Sequence, residues 1–437
     1  MTKNISVIGD GKIRLHSVAT DKFKISRFSI NFITKSDKYN TPLAKLMLAV
    51  MLRGSEKYPT VTSINKALDE QYGATVSLRS SAVGNKTVHS ISCKLLKDSF
   101  VFDGDDSDIL DSVLAILSDV LFNPLKDANG LLLSSYIESE KKIATDQINA
   151  KINDPKAYAS EQCSRCMFEG SDYAVVTDGD CDLINSFTAQ TLTEHIYRFF
   201  KGCRIECFYV GNKPHGSVKK LLEKYFAFGN IYDREIEYGE SPFERKSDEV
   251  RYIEDNADVS QGRLVLGYRC KTVLSDTDYY AMVLFNEIFG GSSVSKLFLN
   301  VREKKSLCYY CYSSFHTSTG TIKIGCGIDP SNKDEALLEI ADQLNSMKSG
   351  DFTDSDIVVA KHTLLSGIRQ IKDSPESIEA SMLRTLLAHV SREPNESAQL
   401  ISSVTKDEIV AAAQKVELDT VYFLNGNDED EADGENE

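Results

Sequence analysis

The stretch Arg263-Leu264-Val265-Leu266-Gly267-Tyr268 reads as a strand; polar Ser275-Asp276-Thr277-Asp278 follows, then a helix-patterned apolar run from Tyr280 to Phe289 that stops at Gly290-Gly291. The same order occurs earlier. Arg27-Phe28-Ser29-Ile30-Asn31-Phe32 alternates as a strand does, polar residues follow, and a helix pattern from Ala44 to Leu52 stops at Gly54. Further out, Thr191 to Asn212 and Thr405 to Gly426 each run from a short helix into an apolar strand, Phe208-Tyr209-Val210 in one and Tyr422-Phe423-Leu424 in the other. Both helices carry capping-box spacing, Thr191 with Glu194 and Thr405 with Glu408. Asn153-Asp154-Pro155 and Asp373-Ser374-Pro375 each break a long helical stretch, since proline removes a backbone donor and clashes with the preceding turn. The chain therefore repeats itself once.

Each copy is expected to be α+β, a mainly antiparallel sheet covered by helices on one face. Thr87 to Leu96 and Thr321 to Ile328 alternate as half-buried strands, while Asp108 to Leu121, Leu131 to Ile152 and Asp356 to Ile371 carry helical periodicity. The expected organisation is an N-terminal domain over 1–229, a polar linker over 230–248, a second domain over 249–426 and a disordered acidic tail over 427–437.

A chain of 437 residues, 41% of them hydrophobic, can bury more than one core. Its formal net charge of -15 argues against nucleic acid, whose phosphates need clustered Lys and Arg. Met1 to Leu15 mixes Lys3, Asp10, Lys12 and Arg14 among apolar residues and so lacks a signal-peptide core, and no run is apolar for long enough to span a bilayer. These features predict a cytoplasmic protein without a membrane partner. The ten cysteines are dispersed, and several lie in core-like runs such as Ile205 to Val210, so reduced thiols are expected. Cys163 with Cys166 has the spacing of a buried helix face, and Cys308 with Cys311 sits in a strand-like run where three residues should place the thiols on opposite faces. Neither pair is read as half of a zinc site.

The segment Leu297-Phe298-Leu299-Asn300-Val301-Arg302-Glu303-Lys304-Lys305-Ser306-Leu307-Cys308-Tyr309 resembles the second-half signature of the insulinase-like (pitrilysin-type, M16) metallopeptidases, an Arg-Glu-Lys followed by a Gly-Leu-Ala-Tyr-like turn. Ser306 stands for the usual Gly and Cys308 for the usual Ala. Gly54-Ser55-Glu56-Lys57-Tyr58-Pro59 is similar to the segment after that family's metal helix, and Gly179-Asp180 with Ile184 also fits. The resemblance covers nearly the whole chain.

At the metal helix the sequence departs from the family. The family's HxxEH binds zinc through two histidines one turn apart and activates water with the glutamate between them. Aligned on Arg53-Gly54-Ser55, this chain carries Lys45-Leu46-Met47-Leu48-Ala49, so Lys45 and Ala49 stand for the histidines and Leu48 for the glutamate. The third ligand, a glutamate on a later helix, falls near Gln147. No two of the seven histidines are spaced by three or four residues, so no other HxxH-type pair replaces the motif.

Arg302 and Tyr309 correspond to a pair that, in the family, reaches into the zinc-bearing half's active site. The resemblance thus implies a non-catalytic subunit, with no metal or cofactor of its own, working with an HxxEH-bearing chain that holds zinc. An extended peptide would be the substrate. Read from residue type alone, Arg302 would complement a helix C-terminus and Tyr309 would start a strand. Two other readings follow from the same residues: a structural or assembly protein, and a stand-alone peptide-binding chamber that draws basic peptides by its negative charge.

Overall fold

A computed structural model describes residues 2–8, 13–102, 108–226, 239–245, 249–259 and 261–426. Two compact units emerge. One comprises Met1–Asn149, Val175–Glu237 and Ile371–Leu383, the other Ala150–Ala174, Tyr238–Gln370 and Arg384–Glu437. Each unit thus includes a short segment drawn from the other half of the sequence. Of the expected linker only 239–245 is described, and the expected acidic tail lies outside the described residues. No described helix is long and apolar enough to cross a membrane.

The first unit holds strands β1 (Thr2–Ile8), β2 (Ile13–Ala19), β3 (Ile25–Lys35), β4 (Thr75–Val83), β5 (Lys86–Leu96) and β6 (Arg204–Gly211). They lie in the order β1-β2-β6-β3-β5-β4, antiparallel except for β2 beside β6. The second unit holds β7 (Arg251–Asn256), β8 (Gly262–Arg269), β9 (Cys308–His316), β10 (Thr321–Ile328) and β11 (Glu417–Asn425) in the order β7-β11-β8-β10-β9, with only β7 and β11 parallel. The α+β reading with mainly antiparallel sheets holds in both.

The expectation of helices on one face only is corrected. In the first unit Leu15, Phe28, Ile30, Phe32, Ile91 and Ile205 pack under the helices Asn40–Met51, Ile109–Phe122 and Ala189–Gly202. The opposite face is also covered, as Val18 and Val210 bury against Ile378 from the segment 371–383. Here Arg27 Nε donates to Glu379 Oε2 at 2.5 Å and Ser29 Oγ to Glu379 Oε1 at 2.6 Å. Polar residues that alternate with apolar ones suggest a wet face, yet Ser29 is fully buried because a carboxylate accepts its hydrogen. Burial raises the Glu379 carboxyl above the usual range, against the opposing pull of Arg27.

The second unit repeats the arrangement. Leu264, Leu266, Ile322 and Ile324 face its main core, and the helix Pro155–Met167 covers the other side, setting Ala159 and Cys163 on Val265, Tyr422 and Leu424. A Cβ on Gly267 would stand 2.9 Å from Met167 Sδ, which is why glycine suits this strand position. Asp154 caps that helix by accepting from Ala157 N–H at 3.0 Å, with Pro155 in the first turn, where its missing donor costs nothing.

Thr405 and Glu408 form the expected capping box. The other box is displaced. Its helix begins at Ala189, capped by Thr188, whose hydroxyl accepts from Thr191 N–H at 3.1 Å while Thr191 Oγ1 accepts from Thr188 N–H at 2.8 Å. Glu194 lies one turn into the helix and spends its carboxylate on Gln190 and Arg198 at the surface.

Candidate functional site

The helix Asn40–Met51 is apolar almost all round, with Leu46, Met47, Leu48 and Val50 in the first unit's core. A helix hydrophobic on nearly every face is a core element. Lys45 keeps its stem in that packing while its ammonium pairs with Asp178. Asp178 precedes Gly179, whose φ of +69 and whose contact with Pro42, 3.0 Å from a hypothetical Cβ, fit the turn against this helix. Asp180 then caps the next helix by accepting from Leu183 N–H at 2.8 Å.

Of the positions aligned with HxxEH, Leu48 is fully buried, and Ala49, half-buried, has no donor atom. Gln147 projects from the exposed side of the helix Ser134–Asn149, whose inward positions are Ile137, Lys141, Ala144 and Ile148. Lys45, Leu48 and Ala49 share one helix face region, but Gln147 is not brought to them by any described hydrogen bond. An ion-paired ammonium, an isobutyl group and a methyl group cannot hold zinc or polarise water, so the site does not fit the family's metal. No group of three or more His, Cys, Asp or Glu side chains is arranged to hold a metal ion among the described residues.

Two buried histidines lie in the same core. His89 on β5 shares its Nδ1 with Ser80 Oγ at 2.7 Å, and both it and His195 lie against the Phe199 ring, at 5.6 and 6.0 Å. Burial first, then His195 and Lys45, lowers His89 to about 3; burial and Arg198 lower His195 to about 4. Both are therefore neutral at physiological pH. Nothing in their sequence spacing signals this pairing, because they meet only when β5 packs under the helix Ala189–Gly202.

In the second unit the helix Tyr279–Asn286 widens into a π-type turn at Glu287–Gly291, and a further π-type turn, Phe298–Lys304, carries Arg302. Such turns reposition side chains relative to a regular helix. The Arg302 guanidinium stands over the Phe298 ring at 4.6 Å and pairs with Glu303 at 3.4 Å, with 40% of the side chain exposed. The turn closes at Ser306, which has a φ of +53, and Leu307 N–H donates to Val301 O at 3.0 Å. The usual glycine at this position thus has a conformational reason, which Ser306 meets under strain.

β9 then starts with an irregularity. Gly327 of β10 pairs with Tyr310 but Ile328 pairs with Cys308, so Tyr309 is an extra residue and turns outward, 61% exposed. The bulge also overturns the expectation for the CxxC pair here. It restores Cys308 to the same side as Cys311, whose Sγ lies 3.0 Å from Cys326 Sγ. All ten cysteines are free.

Arg302, half-buried, and Tyr309, exposed, are therefore donors flanking one turn, placed by the π-type turn and the bulge. Among the described residues no hydrogen bond joins the two side chains. Tyr310 and Tyr312 lie against Gly327 and Gly325, their rings leaving no room for a Cβ at either glycine, and Lys156 stands over the two rings at 4.6 and 4.2 Å.

Residues 186–364 match the family model described as the Peptidase M16 inactive domain. A Bacillus subtilis protein described as the probable inactive metalloprotease YmfF is 29% identical over 96% of this chain and 97% of its own length. The uncharacterized zinc protease YmxG of the same organism is 22% identical, covering 71% of each chain. Among solved structures, a conserved Enterococcus faecalis protein superposes with a TM-score of 0.86 at 26% identity, covering 95% of this chain and 96% of the other. A Pseudomonas fluorescens peptidase M16 inactive domain gives 0.77 at 17% identity, covering 98% of this chain and 99% of the other.

Proposed function

Because the chain belongs to the insulinase-like M16 peptidase family as an inactive member, we propose that it is the substrate-handling subunit of a two-chain zinc peptidase. A second chain bearing HxxEH supplies the zinc and the attacking water. This chain supplies Arg302 and Tyr309 and is not active alone. The observation that carries the reading is the contrast between its two halves: the positions aligned with HxxEH carry Lys45, Leu48 and Ala49, which neither bind zinc nor activate water, while half-buried Arg302 and exposed Tyr309 remain as donors.

The chemistry of those two groups suits the role. Hydrolysis of a peptide passes through a tetrahedral oxyanion, and a donor aimed at it contributes about 3–4 kcal/mol. A guanidinium offers two parallel donors to a carbonyl or carboxylate. The phenol is a neutral donor. A zinc-bearing partner and an extended peptide in the cytoplasm complete the proposal.

The test is to assay peptide hydrolysis by this chain, by an HxxEH-bearing relative from the same genome, and by their mixture, with zinc measured in each. The expected result is zinc in the relative alone and activity in the mixture alone. Arg302→Ala and Tyr309→Phe should each lower kcat/KM of the mixture by about 100-fold without dissociating it. A relative that is equally active alone would sink the proposal and favour a structural role.

A further inference from the structure

Cys308, Cys311 and Cys326 sit together in the second unit's core and form a thiol cluster that the proposed peptide handling does not use. Cys311 and Cys326 face each other directly across β9 and β10, with Sγ atoms 3.0 Å apart, and are 3% and 1% exposed. Cys308, brought to this face by the extra residue at Tyr309, is the most exposed of the three at 9%. The neighbouring thiols of Cys311 and Cys326, and more weakly the charge of Arg302, hold its thiol well below the ordinary range against the effect of burial. Cys311 and Cys326 are pushed upward, and desolvation does the same to Cys93, Cys163, Cys203, Cys207 and Cys270. The thiolate is the reactive form of cysteine, and within the cluster Cys308 is both the most exposed thiol and the one held lowest, which makes it the entry point.

We propose that this cluster is an oxidative modification site for hydroperoxides, in which Cys308 reacts first and the oxidising equivalent ends in a Cys311–Cys326 disulfide. The Cys308 sulfur attacks a peroxide oxygen; the O–O bond breaks, an S–O bond forms, and the leaving oxygen departs with a proton as water or alcohol. Cys311 gives up its proton and displaces hydroxide from the Cys308 sulfenic acid, releasing water and forming an S–S bond. Cys326 then attacks the Cys311 sulfur and returns Cys308 to a thiol, its own proton passing to Cys308. In sum two thiols become one disulfide and one peroxide is reduced.

The end point follows from strand geometry. Residues directly opposite on antiparallel strands have Cα atoms about 4.5–5.5 Å apart, inside the range a disulfide accepts. Cys308 and Cys311 share one strand, so a bond between them strains the backbone and is the one that exchanges. Three thiols therefore divide into an entry point and a product pair.

The experiment treats the full chain with hydrogen peroxide in the presence or absence of dimedone, followed by alkylation and peptide mass spectrometry. Expected is a dimedone adduct on Cys308 before any other cysteine, and without dimedone a Cys311–Cys326 link that dithiothreitol reverses. Cys308→Ser should slow formation of that link by at least about tenfold, and Cys326→Ser should leave the oxidation at Cys308, free or bonded to Cys311. Labelling of another cysteine ahead of Cys308, or wild-type disulfide kinetics in Cys308→Ser, would overturn the proposal. Should a serine variant fail to fold, as circular dichroism would show, the labelling order in the unmodified chain decides alone.

Discussion

Ser306 holds a left-handed backbone, φ +53, at the turn between Arg302 and Tyr309. An L-residue there is strained by its Cβ, whereas glycine is not. Ser306→Gly is accordingly expected to stabilise the chain by about 0.5–1 kcal/mol in urea unfolding, and a loss of stability would show that the serine side chain matters more than its backbone. Asp419 is the opposite case. It is fully buried between Arg269, 3.1 Å away, and Arg245, 3.2 Å away, the latter in the described part of the linker. Asp419→Ala takes the buried carboxylate from Arg245 and from Arg269, which keeps Glu417 3.9 Å away, and is expected to cost about 3–5 kcal/mol, read as a shift of the urea midpoint. A cost below about 1 kcal/mol would mean that both arginines find water instead. Neither effect is visible in residue type: serine is unremarkable at a helix end, and Asp419 sits in an apolar strand where charge looks misplaced.

At the scale of elements, the helix Ala189–Gly202 tests where local signals point. Thr188 accepts from the Thr191 N–H, while Glu194 makes only surface contacts. Thr188→Ala should cost about 1 kcal/mol and Glu194→Ala no more than about 0.5 kcal/mol, measured by thermal or urea unfolding; the reverse order would restore the cap to Thr191. The sequence holds two overlapping candidates, Thr188 with Thr191 and Thr191 with Glu194, and spacing alone does not rank them. β9 shows a different limit. Strand alternation places Cys308 and Cys311 on opposite faces, and a single extra residue at Tyr309 reverses that result. Alternation predicts faces only while the register is continuous.

Across the whole molecule, buried neutral histidines link stability to pH. His89 and His195 titrate at about 3 and about 4 in the folded chain, against 6.5 for an ordinary histidine. Their contribution is complete above pH 6.5, where both states are neutral, and is lost as pH falls through the window below it, because the unfolded chain takes up protons that the folded chain refuses. At pH 5 the loss is roughly 2 kcal/mol per histidine. Urea midpoints should therefore decline between pH 7 and pH 5, and His89→Gln should flatten the slope; an unchanged slope would place the titrating groups elsewhere. The exchange of segments has its own consequence. The first unit completes its sheet cover with 371–383, so a fragment ending at 229 lacks Ile378 and Glu379, leaving Val18, Val210 and Arg27 uncovered. Such a fragment is expected to aggregate when expressed alone and to become soluble when co-expressed with the rest of the chain.

By itself the sequence determined the repeat, the α+β character, most helix and strand positions and the loss of HxxEH, because periodicity, caps and motif residues are local and survive without knowledge of the fold. It also singled out Arg302 and Tyr309 by their motif. Only tertiary structure decided that both sheet faces are covered, that Glu379 serves Arg27 and Ser29, that Lys45 pairs with Asp178, and that Cys308, Cys311 and Cys326 meet. Each of these depends on residues far apart in the chain or on a register shift, and the energy that fixes them comes from desolvated charges and packed faces that exist only after the chain has closed on itself.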